Sequence, residues 1–143
     1  MFALFSRLVL DFFPDSSKRS IVVLDCSQSG ETKDVKRALD LAKKQGVETL
    51  SIVNVVGSLI ARYTGMGVYL NAGREHAVAS TKAFTSQVTV LALITLWFRQ
   101  TREASDGIPH TKMSTDMIEA LQRLPITFGM ALRTHEHCKQ YCF

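Results

Sequence analysis

The sequence of 143 residues predicts an α/β domain with a parallel sheet, followed by C-terminal helices. Two short apolar runs, at Ser20–Asp25 and Thr49–Val53, have the length and the β-branched content of buried strands. An amphipathic stretch at helical spacing lies between them, and Gly46 stands where a helix C-terminal cap belongs. A strand, a helix and a strand in this order form a crossover unit, which predicts parallel pairing.

The first helix is predicted from Glu31, because apolar residues recur at helical spacing from Val35 while lysines and arginines occupy the opposite face. Turn residues follow the second strand, and a short helical segment is predicted at Leu59–Tyr63. A third strand is predicted at Gly67–Leu70, closed by the turn residues of Asn71–Gly73. The sheet therefore has three predicted strands, fewer than a typical doubly wound domain.

Helices are predicted in the remainder of the chain. The segment Val88–Phe98 is apolar almost all the way round, which indicates a central buried helix that ends before Gly107. A further amphipathic helix is predicted to end at Pro125, with a last helical stretch from Phe128. Its apolar stripe, which belongs either to a core or to an interface, consists of Met117, Ile118, Leu121 and Leu124.

Composition excludes several classes of protein. A hydrophobic content of 46% with 21% charged residues is that of a globular domain and not of a disordered or collagenous chain. The longest uncharged apolar stretch, Val88–Phe98, is shorter than the ~20 residues of a membrane-spanning helix. The net charge of +4 comes from basic residues scattered among acidic ones, which favours anionic ligands but not nucleic acid. We therefore expect neither a membrane nor a nucleic-acid partner.

The amino terminus and the cysteines bear on localisation. The apolar start of the chain has no basic region before it, and Arg7 and Asp11 interrupt it, so a secretory signal is not expected. Three cysteines are too few and too unevenly spaced for a disulfide framework. We therefore expect free thiols and a cytoplasmic location.

The segments that follow the predicted strands are where a parallel sheet would bind a ligand. The first of them, SQSGET at 27–32, has three hydroxyls, an amide and a glycine before a helix N-terminus. Ser27, Ser29 and Thr32 can donate hydrogen bonds to a phosphomonoester, while Gly30 lets the backbone approach closely. The alternative is that a hydroxyl here merely caps the helix. Neither a P-loop nor a dinucleotide-binding glycine motif is present.

Five segments in order, SQSGET at 27–32, NVVGS at 54–58, IAR at 60–62, NAG at 71–73 and VASTKAFTSQ at 78–87, carry a family resemblance. Between about Val22 and about Leu132 the chain resembles the first sugar isomerase (SIS) domain of glutamine-fructose-6-phosphate aminotransferase. The serine-rich turn alone would indicate only the wider sugar isomerase superfamily. Its combination with NVVGS and VASTKAFTSQ, in this order and at the right spacing, is what narrows the resemblance to the aminotransferase.

The resemblance implies a three-layer α/β/α domain that binds a hexose 6-phosphate. By the family pattern the phosphate contacts would be Ser27, Gln28, Ser29 and Thr32. Val78 and Ser80 would line the sugar side of the same pocket. The family makes glucosamine 6-phosphate from fructose 6-phosphate and glutamine, a step of hexosamine and UDP-N-acetylglucosamine synthesis. It also implies a homodimer or a second SIS domain as partner, because the sugar site is completed across a subunit boundary.

The chain also departs from the family. Leu59 stands where the family usually has serine, Gly65 where it often has aspartate, and His76-Ala77 where Ile-Gly is common. The first twenty residues do not resemble the family's preceding strand and loop, which supply a further phosphate-binding serine, so we expect this part to be replaced or truncated. The predicted organisation is a divergent leader at 1–19, an SIS domain at 20–103 and a C-terminal helical segment at 104–143.

No catalytic residue, cofactor or metal is predicted. The resemblance assigns glutamine hydrolysis to a separate glutaminase domain, and isomerisation to a lysine, a glutamate and a histidine of a second SIS domain. We therefore expect an incomplete aminotransferase that holds the phosphate-binding half-site and is inactive alone. The alternative is a stand-alone hexose-phosphate-sensing module that acts through a partner. A third possibility is that the short sheet does not fold stably alone.

Other polar residues have simpler structural explanations. On one helix His135, Cys138 and Cys142 would share a face, but their spacing fits no common zinc module. The neighbours Glu75 and His76 are more readily an ordinary loop pair than an acid–base pair. Lys82 is more readily a residue at the start of a helix than a general cation. Cys26, next to Ser27, is more readily a small buried residue at the end of a strand than a reactive thiol.

Overall fold

A computed structural model describes residues 22–76, 79–109 and 111–141. Its elements, in chain order, are β1 (Val22–Ser27), α1 (Lys33–Lys44), β2 (Glu48–Val53), α2 (Leu59–Thr64), β3 (Gly67–Tyr69), α3 (Thr81–Ser105), α4 (Lys112–Leu132) and α5 (His135–Lys139). The described residues divide into two compact units, one up to Val90 and one from Leu91.

The first unit contains a parallel sheet, as the sequence predicts. Within the described residues three strands pair in the order β1-β2-β3, and both pairings are parallel. Ser27 lies opposite Val53, and Val53 lies opposite Tyr69, so all three strands end at the same edge. The predicted α/β fold with its three strands is confirmed. Of the first predicted strand, residues 20 and 21 lie outside the described residues.

The core of the first unit lies between β2 and the helices α1 and α2. Val35, Leu39, Val53 and Ile60 are at most 4% exposed and pack together. Val35 and Leu39 are four positions apart on α1 and so lie on one face of that helix, which is why the sequence pattern predicted the helix. A buried hydrogen bond of 2.8 Å between the hydroxyls of Ser51 and Thr64 fixes α2 against β2. The core thereby packs both helices against β2.

Charged residues on the outer face of α1 fix the end of α2. The ammonium groups of Lys36 and Lys43 lie 4.6 and 4.2 Å from the ring centre of Tyr63, on α2. Lys43 also donates a hydrogen bond to the Tyr63 carbonyl oxygen. Hydrogen bonds from Lys36 and Tyr63 hold the pKa of Asp40 below its usual value. Lys36 and Lys43 thus have structural partners on α1 and α2.

In the second unit a polar network joins α3 to α4. Glu103 is 6% exposed and Ser114 is fully buried. The Glu103 carboxylate accepts hydrogen bonds from Arg99 at 3.0 Å, Thr111 at 2.7 Å and Ser114 at 2.9 Å. The Thr111 hydroxyl also caps α4 by accepting from the Ser114 N–H. A buried carboxylate with several donors is a fixed structural element.

Two predictions about the helices are wrong. The segment Val88–Phe98 is not a fully buried helix, because its side chains at Val88, Leu93 and Trp97 are 52%, 48% and 59% exposed. The apolar side chains on every side of this helix are thus not all covered by other described residues. Pro125 does not end its helix, since α4 continues through it to Leu132. A proline removes one helical N–H, but its fixed φ is itself helical, so the turns that follow can continue.

By length and apolar composition α3 also reaches the minimum for a membrane span, with a mean hydropathy of 1.2 over its most apolar window. Its first turns nevertheless belong to the α/β unit, where Ala83 is fully buried. We therefore assign α3 to the globular fold.

Candidate functional site

The three strand ends form a cleft at one edge of the sheet. The segment at 27–32 follows β1, the segment at 54–58 follows β2, and the segment at 70–75 follows β3. The parallel register brings these segments together, which is where ligands bind in sheets of this type. The cleft has a volume of about 480 Å³. It is lined by Gln28, Asn54, Val55, Val56, Asn71, Gly73, Arg74 and Glu75.

The serines of the first segment fold the loop on itself. The Ser27 hydroxyl oxygen accepts a hydrogen bond of 3.1 Å from the Gly30 N–H. The Ser29 hydroxyl oxygen accepts one of 3.3 Å from the Glu31 N–H. A hydroxyl that accepts from a backbone N–H still has its own hydrogen to donate. Both serines are therefore oriented by the loop and keep a donor for an external acceptor.

Gly30 packs the loop against the start of α2. Its φ of +66° is one that side-chain-bearing residues rarely adopt, and a β-carbon there would lie 2.6 Å from the β-carbon of Ser58. The Gly30 carbonyl accepts from the Ile60 N–H at 2.9 Å, and the Glu31 carboxylate accepts from the Leu59 N–H at 2.9 Å. The first N–H groups of α2 are thereby used by the loop.

The N-terminus of α1 is the helix end that this loop presents. Thr32 is its N-cap residue, in an extended conformation, and its side chain makes no capping hydrogen bond. The first N–H groups of any helix lack partners within the helix, and the dipole makes this end favourable for an anion. Thr32 thus leaves both its hydroxyl and the helix end available to a ligand.

The N-terminus of α3 is used differently. The Glu75 carboxylate accepts a hydrogen bond of 3.1 Å from the Ala83 N–H in the first turn of α3. The Lys82 ammonium donates to the Arg74 carbonyl oxygen at 2.9 Å. Both residues therefore fix the third segment to α3, and this structural use agrees with the interpretation of Lys82 as a helix-start residue. Arg74 itself lines the cleft as a cation.

Asp25 lies on β1 two residues before the loop. Burial raises the pKa of Asp25 to about 6, and its Oδ2 atom has no hydrogen-bond partner among the described residues. Ser51 lies opposite it on β2. A carboxyl group in this position costs free energy when it is ionised at neutral pH.

The predicted phosphate contacts are distributed over the first segment. Gln28 lines the cleft, whereas Ser27, Ser29 and Thr32 are half-buried in the same loop and are absent from the residues that line the cleft. Their role in phosphate binding stays a prediction. Ser80 has a φ of 50°, and its carbonyl accepts from Phe84 at the start of α3. It is absent from the residues that line the cleft, and Val78 lies outside the described residues.

Several residues that line the cleft are not predicted as ligand contacts from the sequence. Asn54, Asn71, Arg74 and Glu75 line the cleft. The available signal was position, because Asn54 and Asn71 each come directly after a predicted strand. Arg74 and Glu75 lie in a loop whose path is set by hydrogen bonds to Asn54 and to α3, and no local pattern shows these.

The described residues contain no group of three or more histidine, cysteine, aspartate or glutamate side chains that could hold a metal. His135 instead lies 2.7 Å from the Glu136 carboxylate. Cys142, the third member of the cluster considered from the sequence, lies outside the described residues.

Comparison with known proteins shows which proteins this chain is similar to. Residues 13–96 match the SIS domain family. The chain is 42% identical over 113 residues to glutamine--fructose-6-phosphate aminotransferase [isomerizing] 1 of Arabidopsis thaliana, which covers 79% of this chain and 16% of that protein. It is 37% identical over 124 residues to the Saccharomyces cerevisiae enzyme of the same name, covering 87% of this chain and 17% of that protein. The chain thus spans about a sixth of these relatives.

A solved structure agrees with the sequence matches. The C-terminal domain of glucosamine-fructose-6-phosphate aminotransferase from Francisella tularensis superposes with a TM-score of 0.75 at 31% identity. The alignment covers 84% of this chain and 33% of that structure. The resemblance inferred from the SQSGET, NVVGS and VASTKAFTSQ segments is therefore confirmed.

Proposed function

Because the chain belongs to the SIS domain family, we propose that its SQSGET loop binds the phosphate of a hexose 6-phosphate. One observation supports this most directly. The loop uses the oxygens of Ser27 and Ser29 for its own N–H groups, so both hydroxyl hydrogens remain free to donate beside the open N-terminus of α1. A phosphate dianion accepts from such donors and is favoured by the helix dipole.

The relatives suggest the sugar. They are named for fructose 6-phosphate, and the family resemblance implies that glucosamine 6-phosphate is the product. We propose that this chain supplies the hexose-phosphate-binding half-site of such an enzyme. The catalytic lysine, glutamate and histidine are assigned by the resemblance to a second SIS domain. These 143 residues alone are therefore expected to form no glucosamine 6-phosphate from fructose 6-phosphate and ammonia.

The phosphate site is tested by calorimetric titration of the chain with glucosamine 6-phosphate and with fructose 6-phosphate. The Ser29→Ala variant removes one hydroxyl donor, and a hydrogen bond to a charged group contributes ~1.5 to 3 kcal/mol. We expect its dissociation constant to rise by a factor of ten or more. Ser105→Ala, at the exposed end of α3, is the matched control and should bind as the wild type does. Equal binding by all three proteins would exclude the loop from the site.

The partner and the location follow from the same proposal. We propose that the cleft is completed by a second copy of the chain or by a second SIS domain, since the family's sugar site spans two subunits. Light scattering at micromolar concentration with and without glucosamine 6-phosphate tests the first option. We further propose a cytoplasmic protein without nucleic-acid contacts, which fractionation of the source cells and a DNA-binding assay would test.

A further inference from the structure

Asn54 connects the first and third segments of the cleft. It is the residue directly after β2, the middle strand of the described sheet. Its backbone N–H donates to the Gln28 carbonyl oxygen at 3.2 Å, in the first segment. Its side-chain amide donates from Nδ2 to the Gly73 carbonyl at 2.7 Å and accepts at Oδ1 from the Ala72 N–H at 2.9 Å. One residue thus bonds to both walls.

The side-chain amide acts as an extension of the sheet. At the end of the β2–β3 pairing the Leu70 N–H donates to the Val53 carbonyl at 2.9 Å. Beyond this bond β3 has ended, and the Asn54 amide supplies the donor and the acceptor that another strand residue would supply. An amide matches a peptide group in both functions, whereas a carboxylate offers acceptors only.

The held segment needs such a support. Asn71 has a φ of 51°, in the left-handed region that few residues other than glycine and asparagine adopt, so the chain turns sharply at this residue. Asn71 lines the cleft, and so do Gly73, Arg74 and Glu75 after it. Its far end is fixed to α3 through Glu75 and Ala83. Asn54 provides the fixation at the near end.

We propose that Asn54 is a positioning residue for the sugar side of the cleft. By holding residues 72–73 at a fixed distance from Gln28, it sets the space between the phosphate loop and the Arg74–Glu75 wall. The inference rests on the proposed phosphosugar site and deepens it. Asn54 itself lines the cleft, but both ends of its side-chain amide are hydrogen-bonded to the backbone of residues 72 and 73, so its effect on a ligand is exerted through that wall. It should therefore govern selectivity for a hexose phosphate over inorganic phosphate.

The test compares two ligands on the full chain. In Asn54→Ala both side-chain hydrogen bonds are lost, and we expect the dissociation constant for glucosamine 6-phosphate to rise about tenfold. The dissociation constant for inorganic phosphate should change less than twofold, because the serine hydrogen bonds of the loop remain. Asn54→Asp keeps the acceptor for Ala72 and loses the donor to Gly73. Its added negative charge weakens the binding of both anionic ligands, so the quantity to compare is the ratio of their dissociation constants, which should lie between those of the wild type and the alanine variant. Asn54→Asp also carries the comparison if Asn54→Ala does not fold.

Hydrogen exchange supplies a second readout. The Ala72 amide should exchange faster in Asn54→Ala and stay protected in Asn54→Asp. An unchanged preference for glucosamine 6-phosphate in both variants would overturn the inference. So would an equal loss of affinity for both ligands, which would indicate damage to the whole loop. A wild-type chain that binds neither ligand would instead refute the proposed function itself, and the positioning role with it.

Discussion

Replacing Gly30 tests whether the phosphate loop depends on its close contact with α2. In Gly30→Ala the new β-carbon would collide with the Ser58 side chain, whose β-carbon would be 2.6 Å away. The backbone would also keep a φ of +66°, which costs a residue with a side chain about 1 kcal/mol. The collision adds about 1 to 3 kcal/mol, the usual cost of overpacking. We expect a total loss of about 2 to 4 kcal/mol in the free energy of unfolding.

Gly46 provides the matched control. Its φ of +72° is nearly the same, but a β-carbon there would meet nothing within 4 Å. Gly46→Ala should therefore show only the backbone cost of about 1 kcal/mol. Urea denaturation followed by circular dichroism measures both variants. In addition, Gly30→Ala should bind glucosamine 6-phosphate more weakly, while Gly46→Ala should bind it as the wild type does.

A double variant separates the steric part from other effects. Ser58→Gly removes the colliding atoms, and glycine at a helix N-cap costs only a few tenths of a kcal/mol relative to serine. The Ser58 side chain makes no capping hydrogen bond that would be lost. Gly30→Ala combined with Ser58→Gly should thus recover most of the steric loss. Equal destabilisation by Gly30→Ala and Gly46→Ala, or no recovery in the double variant, would refute the reasoning.

Three further predictions concern charged groups. Burial raises the pKa of Asp25 from its usual 3.8 to about 6, so its protonated form contributes stability that is complete below pH 4 and is lost as the pH rises through 6. The pKa shift corresponds to at most about 3 kcal/mol in the free energy of unfolding, and to about 1 to 2 kcal/mol after solvent screening of this half-buried group. Urea denaturation at pH 4.5 and 7.5 should show this loss of stability in the wild type and a smaller loss in Asp25→Asn. Asp34 lies in the first turn of α1, where its negative charge competes with a bound anion for the helix N-terminus. Asp34→Asn should therefore tighten glucosamine 6-phosphate binding about two- to fivefold at low salt. An unchanged or weaker affinity would argue against an anion at this helix end. Glu103→Ala should destabilise the chain by about 2 to 3 kcal/mol because it leaves Arg99 without its buried partner. Asp106→Ala, which breaks an exposed pair with Arg102, should cost less than about 1 kcal/mol. Similar losses of stability in the two variants would contradict a stabilising role of the network around Glu103.

The sheet and its helices could be predicted because local patterns match the structure there. The strand at Thr49–Val53 and the helix at Lys33–Lys44 bury one continuous set of apolar side chains, so their periodicity carries the information. Turn residues mark the ends of both. The first segment of the site was predictable for the same reason, since SQSGET comes directly between a strand and a helix.

The features that could not be predicted depend on contacts between distant residues. Asn54 bonds to residues 72 and 73, some eighteen positions along the chain, and Glu31 bonds to Leu59. Neither contact follows from spacing. The burial of Val88–Phe98 was overestimated, because composition states that a helix is apolar but not whether neighbours cover it. The continuation of α4 past Pro125 likewise depends on the turns that follow it.

The most direct test of the phosphate site is an amide NMR titration of the full chain with glucosamine 6-phosphate, with glucosamine as the ligand that lacks the phosphate. We predict chemical-shift changes concentrated at residues 28–32 and in the first turn of α1, with small changes in the second unit around Glu103. Glucosamine alone should leave the loop unchanged. Shifts confined to other parts of the chain, or equal shifts with both ligands, would contradict a phosphate site at the SQSGET loop.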